Sequence, residues 1–227
     1  MPIRLLVGLG NPGKEYERTR HNAGFWLVER FAQANGINLR KDPKFKALVG
    51  KHADAWLLLP QSFMNLSGQP VQMLAGFFKI KPEEVLVVHD ELDFEPGVAR
   101  LKQGGGIAGH NGLRDISQRL ASHDYWRLRI GVGRPPAGTE GGDYVLHKPS
   151  VEDKATIDQA IDRSLQVLPD MLKGDMAGAT QKLHSSEPKP KPVEKKEPPK
   201  KEIPVKEPEK QPEPKKSGLL GSLFGKK

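Results

Sequence analysis

The sequence predicts a single α/β domain with a mixed, mostly parallel central sheet flanked by helices, followed by a disordered tail. Three observations carry this expectation. Short apolar runs of strand length recur along the first 185 residues; segments with helical spacing alternate with them; and the composition changes abruptly near Ser186. Alternation of buried strand and helix is the pattern of a layered fold around a parallel sheet.

The strands come first. Ile3 to Leu9, Ala55 to Leu59, Val85 to His89 and Leu128 to Val132 are apolar enough to be buried on both faces. Between them, Phe25, Val28 and Ala32 share one face of a helix that stops at Gly36, and Val71, Leu74, Ala75 and Phe78 share a face of a second. Leu113, Ile116 and Leu120 mark a third. Ser150 and Asp153 form a capping pattern for a fourth, with Ile157, Ile161, Leu165 and Leu168 along one side. A tight hairpin between edge strands is expected around Lys51 to Ala55.

Residues 1–185 are expected to form the catalytic domain and 186–227 the tail. Ser186 to Lys227 holds 9 prolines, 12 lysines and 7 glutamates, with too little apolar surface to offset the entropy of ordering. The absence of cysteine excludes a disulfide framework, a thiolate nucleophile and a cysteine zinc site, and suits a reducing cytoplasm. Strand-like sequence from Ile3 leaves no room for a targeting peptide, and no run is long enough to span a bilayer. A cytoplasmic protein is the expectation.

The net charge of +8 is unevenly placed. The tail carries +5, and residues 100–134 carry another +5 through Arg100, Lys102, Arg114, Arg119, Arg127, Arg129 and Arg134 against Asp115 and Asp124. A cationic stretch in an otherwise acidic domain points to a polyanion face, with nucleic acid the leading candidate. Charge alone leaves a scattered, solvated surface open as well.

The loops expected beyond the strand ends are polar and glycine-rich, where sites gather in folds of this kind. They carry Gly10-Asn11-Pro12-Gly13 and Arg20-His21-Asn22, then Ser62-Phe63-Met64-Asn65, then His89-Asp90-Glu91-Leu92-Asp93, and finally Gly104 to Gly112 with His110 and Asn111. Gly8, Gly10 and Gly13 spell a dinucleotide fingerprint but lack the helix that should begin at the motif, and no phosphate loop ending in Gly-Lys-Ser/Thr occurs. No metal-ligand spacing is present, so neither a metal nor a cofactor is expected. His89, at a strand end, is read as structural, and His52, His123, His147 and His184 as surface or packing residues.

His21 differs from these. Alone it could be a helix cap or a core residue, but Asp90 at a neighbouring strand end could orient it. A carboxylate on one ring nitrogen leaves the other as a base for water near neutral pH. Asn11, Asn65 and Asn111 read singly as turn or cap residues. Converging, they could donate to an acyl oxygen and accept from a peptide N–H, which suits a polar acyl substrate. No serine sits in a nucleophile elbow, so direct attack by water is preferred to an acyl-enzyme.

Taken in order, G-L-G-N-P-G-K-E-Y, T-R-H-N-A-G, F-M-N-L-S-G, H-D-E-L-D, G-G-G-I-A-G-H-N-G-L-R-D and W-R-L-R-I-G-V-G-R-P resemble the bacterial peptidyl-tRNA hydrolase family across nearly all of the folded domain. The resemblance implies a monomeric, cofactor-free esterase that cleaves the peptide from the 3′ ribose of tRNA and returns the tRNA to translation. It places the catalytic histidine at His21 and its supporting aspartate at Asp90, not Asp93. It gives Asn11 the recognition of N-blocked substrates, gives Tyr16, Phe63, Asn65 and Asn111 substrate contacts, and puts Lys102 and Arg129 near the acceptor-stem phosphate.

A non-catalytic RNA-binding relative of the same fold is the competing reading; retention of His21, Asp90 and the three asparagines argues against it. The tail departs from the family. Leu219, Leu220, Leu223 and Phe224 could share a helical face and dock on an unknown partner, or the tail could be a dispensable solubilising extension.

Overall fold

A computed structural model describes residues 1–185. The expected tail and its apolar motif lie outside the described residues.

Seven strands form one sheet in the order β2-β3-β4-β1-β5-β7-β6. They are β1 (Leu5–Gly8), β2 (Arg40–Asp42), β3 (Ala47–His52), β4 (Ala55–Pro60), β5 (Val85–Glu91), β6 (Ala99–Gln103) and β7 (Trp126–Gly131). The four apolar runs are the four central strands, all parallel: β1 pairs with β4 and β5, and β5 with β7. Both faces of these strands are covered, which is why their sequences are nearly continuously apolar.

One face carries Leu6, Leu57, Leu59, Leu86, Val88, Leu128 and Ile130 against α1 (Ala23–Ala34), α5 (Val151–Lys173) and α6 (Met176–Ser185). The other carries Leu5, Val7, Leu58, Val85 and Val87 against α2 (Gly68–Phe78) and α3 (Asn111–Leu120). A short helix, α4 (Gly141–Val145), lies outside these layers in chain order between β7 and α5. The expected cap of α5 forms, with the Asp153 N–H donating to Ser150 Oγ at 3.0 Å.

Three strands escape the sequence reading. β2 (Arg-Lys-Asp) and β6 (Ala-Arg-Leu-Lys-Gln) are short, charged and at the two sheet edges; β2 buries no side chain and β6 only Ala99 and Leu101. β3 lies beside β2. The hairpin at Lys51 to Ala55 exists, with His52 opposite Ala55 and Ala53 at φ 49°. Its strands are not edges, however: β2 covers β3, and β4 is flanked by β3 and β1. The helices α4 and α6 were also unforeseen; each is short and weakly patterned.

One loop takes an unexpected course. β6 runs antiparallel to β7, with Gln103 opposite Trp126 at the amino end of β7. The glycine-rich segment after it therefore leaves from the opposite end of the sheet. It returns the chain to the carboxyl end of β5, where α3 begins, and Arg127 Nη1 holds it midway by donating to Gly106 O at 2.7 Å.

Candidate active site

His21 belongs to a single 3-10 turn, Arg20–Asn22, that runs directly into α1. Two close approaches press this turn onto the strand ends. A Cβ on Gly24 would lie 2.3 Å from Val88 O and 2.4 Å from Leu9 N, and one on Gly8 would lie 2.6 Å from Gly24 O. Only glycines let the helix start sit this low over β1 and β5. Gly10 likewise makes room for the Phe25 ring, which its Cβ would approach to 2.6 Å. Two of the three glycines that imitate a dinucleotide fingerprint, Gly8 and Gly10, thus serve helix packing, while Gly13 turns the chain at φ 115°.

That approach delivers His21 to Asp90. The two side chains are bonded, Nδ1 to Oδ1 at 2.9 Å, with His21 9% and Asp90 3% exposed. A carboxylate only accepts, so Nδ1 carries the proton and Nε2 keeps its lone pair, without a protein partner among the described residues. Burial disfavours the imidazolium, but the charge of Asp90 and its hydrogen bond more than offset this and raise the His21 pKa above the ordinary value. Burial also disfavours the Asp90 carboxylate, yet His21 and His110 hold it well below the usual range. Asp93 instead pairs with Arg134 at 3.0 Å on the surface, as expected of a residue that is not the partner.

His110 is the residue that the sequence reading left without a role. It caps α3, its Nδ1 accepting from Leu113 N–H at 3.4 Å, which leaves the proton on Nε2 for Asp90 Oδ1 at 3.1 Å. Asp90 Oδ1 therefore accepts from two imidazoles whose ring centroids are 5.1 Å apart. The available signal was a histidine immediately before an expected helix in a converging loop. His89, read from the sequence as structural, is buried and lines the same cavity as His21: its Nδ1 donates to Asp90 O at 2.6 Å, and burial, then the neighbouring His110, push its pKa down to about 3, so it stays neutral.

Among the described residues, His21, Asp90 and His110 are the one group whose ligand atoms could surround a metal, all lying within 4.8 Å of one another. Both nitrogens are already committed to Asp90 Oδ1 at 2.9 and 3.1 Å. Two ligands of a tetrahedral zinc at its usual bond lengths would stand about 3.3 Å apart. The spacing fits shared protons better than a shared ion.

The asparagines divide. Asn11 is buried and fixed: Oδ1 accepts from Met64 N–H at 2.7 Å, and its backbone exchanges two bonds with the Asn22 side chain at 2.9 and 3.0 Å. This ties the loop after β1 to the loop after β4 and leaves the Asn11 amide nitrogen without a protein partner among the described residues. Asn65 and Asn111 are exposed, the latter accepting from Arg114 at 2.9 Å. Tyr16 and Phe63 meet edge to face at 6.3 Å, with Phe63 57% exposed beside Met64 and Asn65.

A cavity of about 230 Å³ is lined by His21, Asp90, His110, Asn111, Gly141 and Val145, among others; Asn11, Tyr16, Phe63 and Asn65 are not among its lining residues. Lys102 and Arg129 do not line it, although Arg129 bonds Glu91, which does. Lys102 lies opposite Arg127, whereas Asp90 lies opposite Ile130, three residues further along β7 or about 10 Å. Arg129 is half-committed: Nε donates to Glu91 at 2.8 Å and its guanidinium covers the Phe94 ring at 4.3 Å.

With this geometry in place, comparison with known proteins is informative. The family model described as peptidyl-tRNA hydrolase matches residues 5–191. Peptidyl-tRNA hydrolase of Thiobacillus denitrificans is 55% identical over 193 residues, covering 85% of this chain and 96% of that protein. That of Delftia acidovorans is 51% identical over 196 residues, covering 84% and 95%. The crystal structure of peptidyl-tRNA hydrolase from Acinetobacter baumannii superposes with a TM-score of 0.79 at 45% identity, covering 82% of this chain and 97% of that one. A buried His–Asp pair beside a cavity, and likeness along the whole described domain, lead to one conclusion: the chain belongs to the peptidyl-tRNA hydrolase family.

Proposed function

We propose that the chain hydrolyses the ester joining the peptide to the 3′ ribose of peptidyl-tRNA, with His21 as general base and residues 1–185 as the catalytic domain. The observation that carries this reading is the 2.9 Å bond from His21 Nδ1 to Asp90, which leaves Nε2 as the basic nitrogen. Nε2 takes a proton from water as the water oxygen attacks the ester carbonyl. The tetrahedral intermediate then collapses, breaking the bond to the ribose 3′ oxygen, which takes the proton back from the imidazolium. Peptide carboxylate and free tRNA leave. Asp90 stabilises the transient positive charge without itself being protonated, and His110 holds Asp90 in place from the other side.

The amide nitrogen of Asn11, fixed beside the His21 turn by the bonds to Asn22 and Met64, donates to the peptide end of the substrate. A site built around such a hydrogen bond penalises a substrate that cannot return it, which supports discrimination of N-blocked peptidyl-tRNA from free aminoacyl-tRNA. Asn65 and Asn111 hold the acyl group, Tyr16 and Phe63 flank it, and Lys102 with Arg129 meets the tRNA phosphates. No step passes through a metal or cofactor. The chain acts as a cytoplasmic monomer on this reading; among the described residues no helix is long and apolar enough to cross a membrane.

The test is hydrolysis of N-acetylaminoacyl-tRNA by the wild type and His21→Ala. A loss of roughly 10²- to 10⁴-fold is expected for removing a general base. Equal rates would refute the assignment.

A further inference from the structure

We propose that Arg20 is a positioning residue: its buried guanidinium ties the outer wall of the His21 cleft, formed by α4 and the turn after it, to the turn that carries the base. Arg20 precedes His21 in the same 3-10 turn, and its side chain is 7% exposed. Nη1 donates to His147 O at 3.2 Å and Lys148 O at 3.0 Å, and Nη2 approaches Asp153 at 3.5 Å. The guanidinium carbon stands 4.0 Å from the centroid of the Tyr144 ring. The Arg20 backbone N–H adds a bond to His147 O at 3.2 Å. One residue thus grips α4, the turn that follows it and the first turn of α5.

The wall it grips matters because Gly141, Gly142 and Val145 line the cavity that holds His21 and Asp90. Besides the buried Val145 side chain, which anchors α4 from inside, the other ties of the wall are weak. α4 has 5 residues, far short of a helix stable by itself. The Arg134–Asp93 pair before it is exposed on both sides and contributes little. The Tyr144 hydroxyl donates to Val132 O at a long 3.3 Å. Lysine could replace Arg20 only in part, because bonding two carbonyls while lying flat on a ring requires a planar fork. Arg20 therefore keeps the wall closed over the base, limiting bulk water and fixing the acyl group, without touching the His21–Asp90 bond. This inference rests on His21 being the base.

The experiment combines amide hydrogen exchange with steady-state kinetics on N-acetylaminoacyl-tRNA for Arg20→Met, Arg20→Lys, Tyr144→Leu and the Arg20→Met/Tyr144→Leu double variant. Exchange across 141–148 should rise roughly tenfold or more in Arg20→Met, the factor for losing one charge-assisted hydrogen bond, while the amides of β5 keep their protection. kcat/KM should fall in parallel, Arg20→Lys should recover part of it, and the double variant should lose no more than the worse single one, because both act through the same wall. If Arg20→Met does not fold, Tyr144→Leu carries the same exchange comparison. Unchanged exchange at 141–148, a rise spread evenly over the domain, or additive losses would each overturn the proposal. Activity retained by His21→Ala, with 141–148 still loosened in Arg20→Met, would remove the base assignment and leave the tether standing.

Discussion

The carboxyl end of β5 and the β6–β7 edge are both rich in titratable groups, and they are built on opposite plans. At Asp90 every ring nitrogen that faces the carboxylate has one partner and one tautomer, and the His110 ring stands 5.1 Å from that of His21 and 5.0 Å from that of His89. At the edge, Lys102 is exposed and Arg129 is partly neutralised by Glu91. Chemistry on an ester requires a proton at a fixed atom, which only an over-determined, desolvated cluster supplies. Attraction of a polyanion requires only charge at roughly the right place, and tolerates mobile side chains.

That contrast can be broken from either side. The largest effect should come from His21→Ala, as above. Asp90→Asn comes next. Without the carboxylate, burial alone acts on the imidazole, so its pKa falls and the acid limb of the pH–rate profile moves to lower pH even as turnover drops. On the general-base proposal the wild-type limb should lie above the ordinary histidine value, because the His21 pKa is raised and a protonated imidazole cannot take a proton from water. An acid limb that stayed in place in Asp90→Asn would contradict the pairing. His110→Ala should lower kcat less than Asp90→Asn, with KM little changed, since one of two donors to Asp90 remains; a pure KM effect would instead make His110 a substrate contact.

At the edge the effects should be smaller and should depend on salt. Lys102→Ala should reduce the slope of log affinity for tRNA against log salt by about 0.9, the value for one phosphate contact. Arg129→Ala should reduce it less, because Glu91 already holds the guanidinium. Glu91→Gln should then steepen the slope by releasing Arg129. A larger loss in Arg129→Ala than in Lys102→Ala, measured as salt-dependent tRNA binding, would reverse the ranking of the two cations.

Much of the domain was legible in the sequence. The four central strands announce themselves because strands buried on both faces must be apolar throughout, and α1, α2, α3 and α5 show helical spacing because each buries one side. The edges were not legible: Arg-Lys-Asp buries no side chain, and in Ala-Arg-Leu-Lys-Gln only Ala99 and Leu101 turn toward the core, too short an alternation to stand out. His21, Asp90 and Asn11 could be singled out from residue chemistry at strand ends together with the ordered family motifs. His110 could not, because its bond to Asp90 depends on the path of a glycine-rich loop that starts from an antiparallel strand at the far end of the sheet.

The sequence by itself determined the class of fold, the family and the residues capable of the chemistry, since hydrophobic period and motif order are local properties of the chain. Only the tertiary structure decided that Asp90 serves two histidines, that Glu91 restrains Arg129 and that Arg20 grips the cleft wall. Each joins residues dozens of positions apart, and hydrogen-bond geometry is set by how the layers pack, which no local pattern encodes.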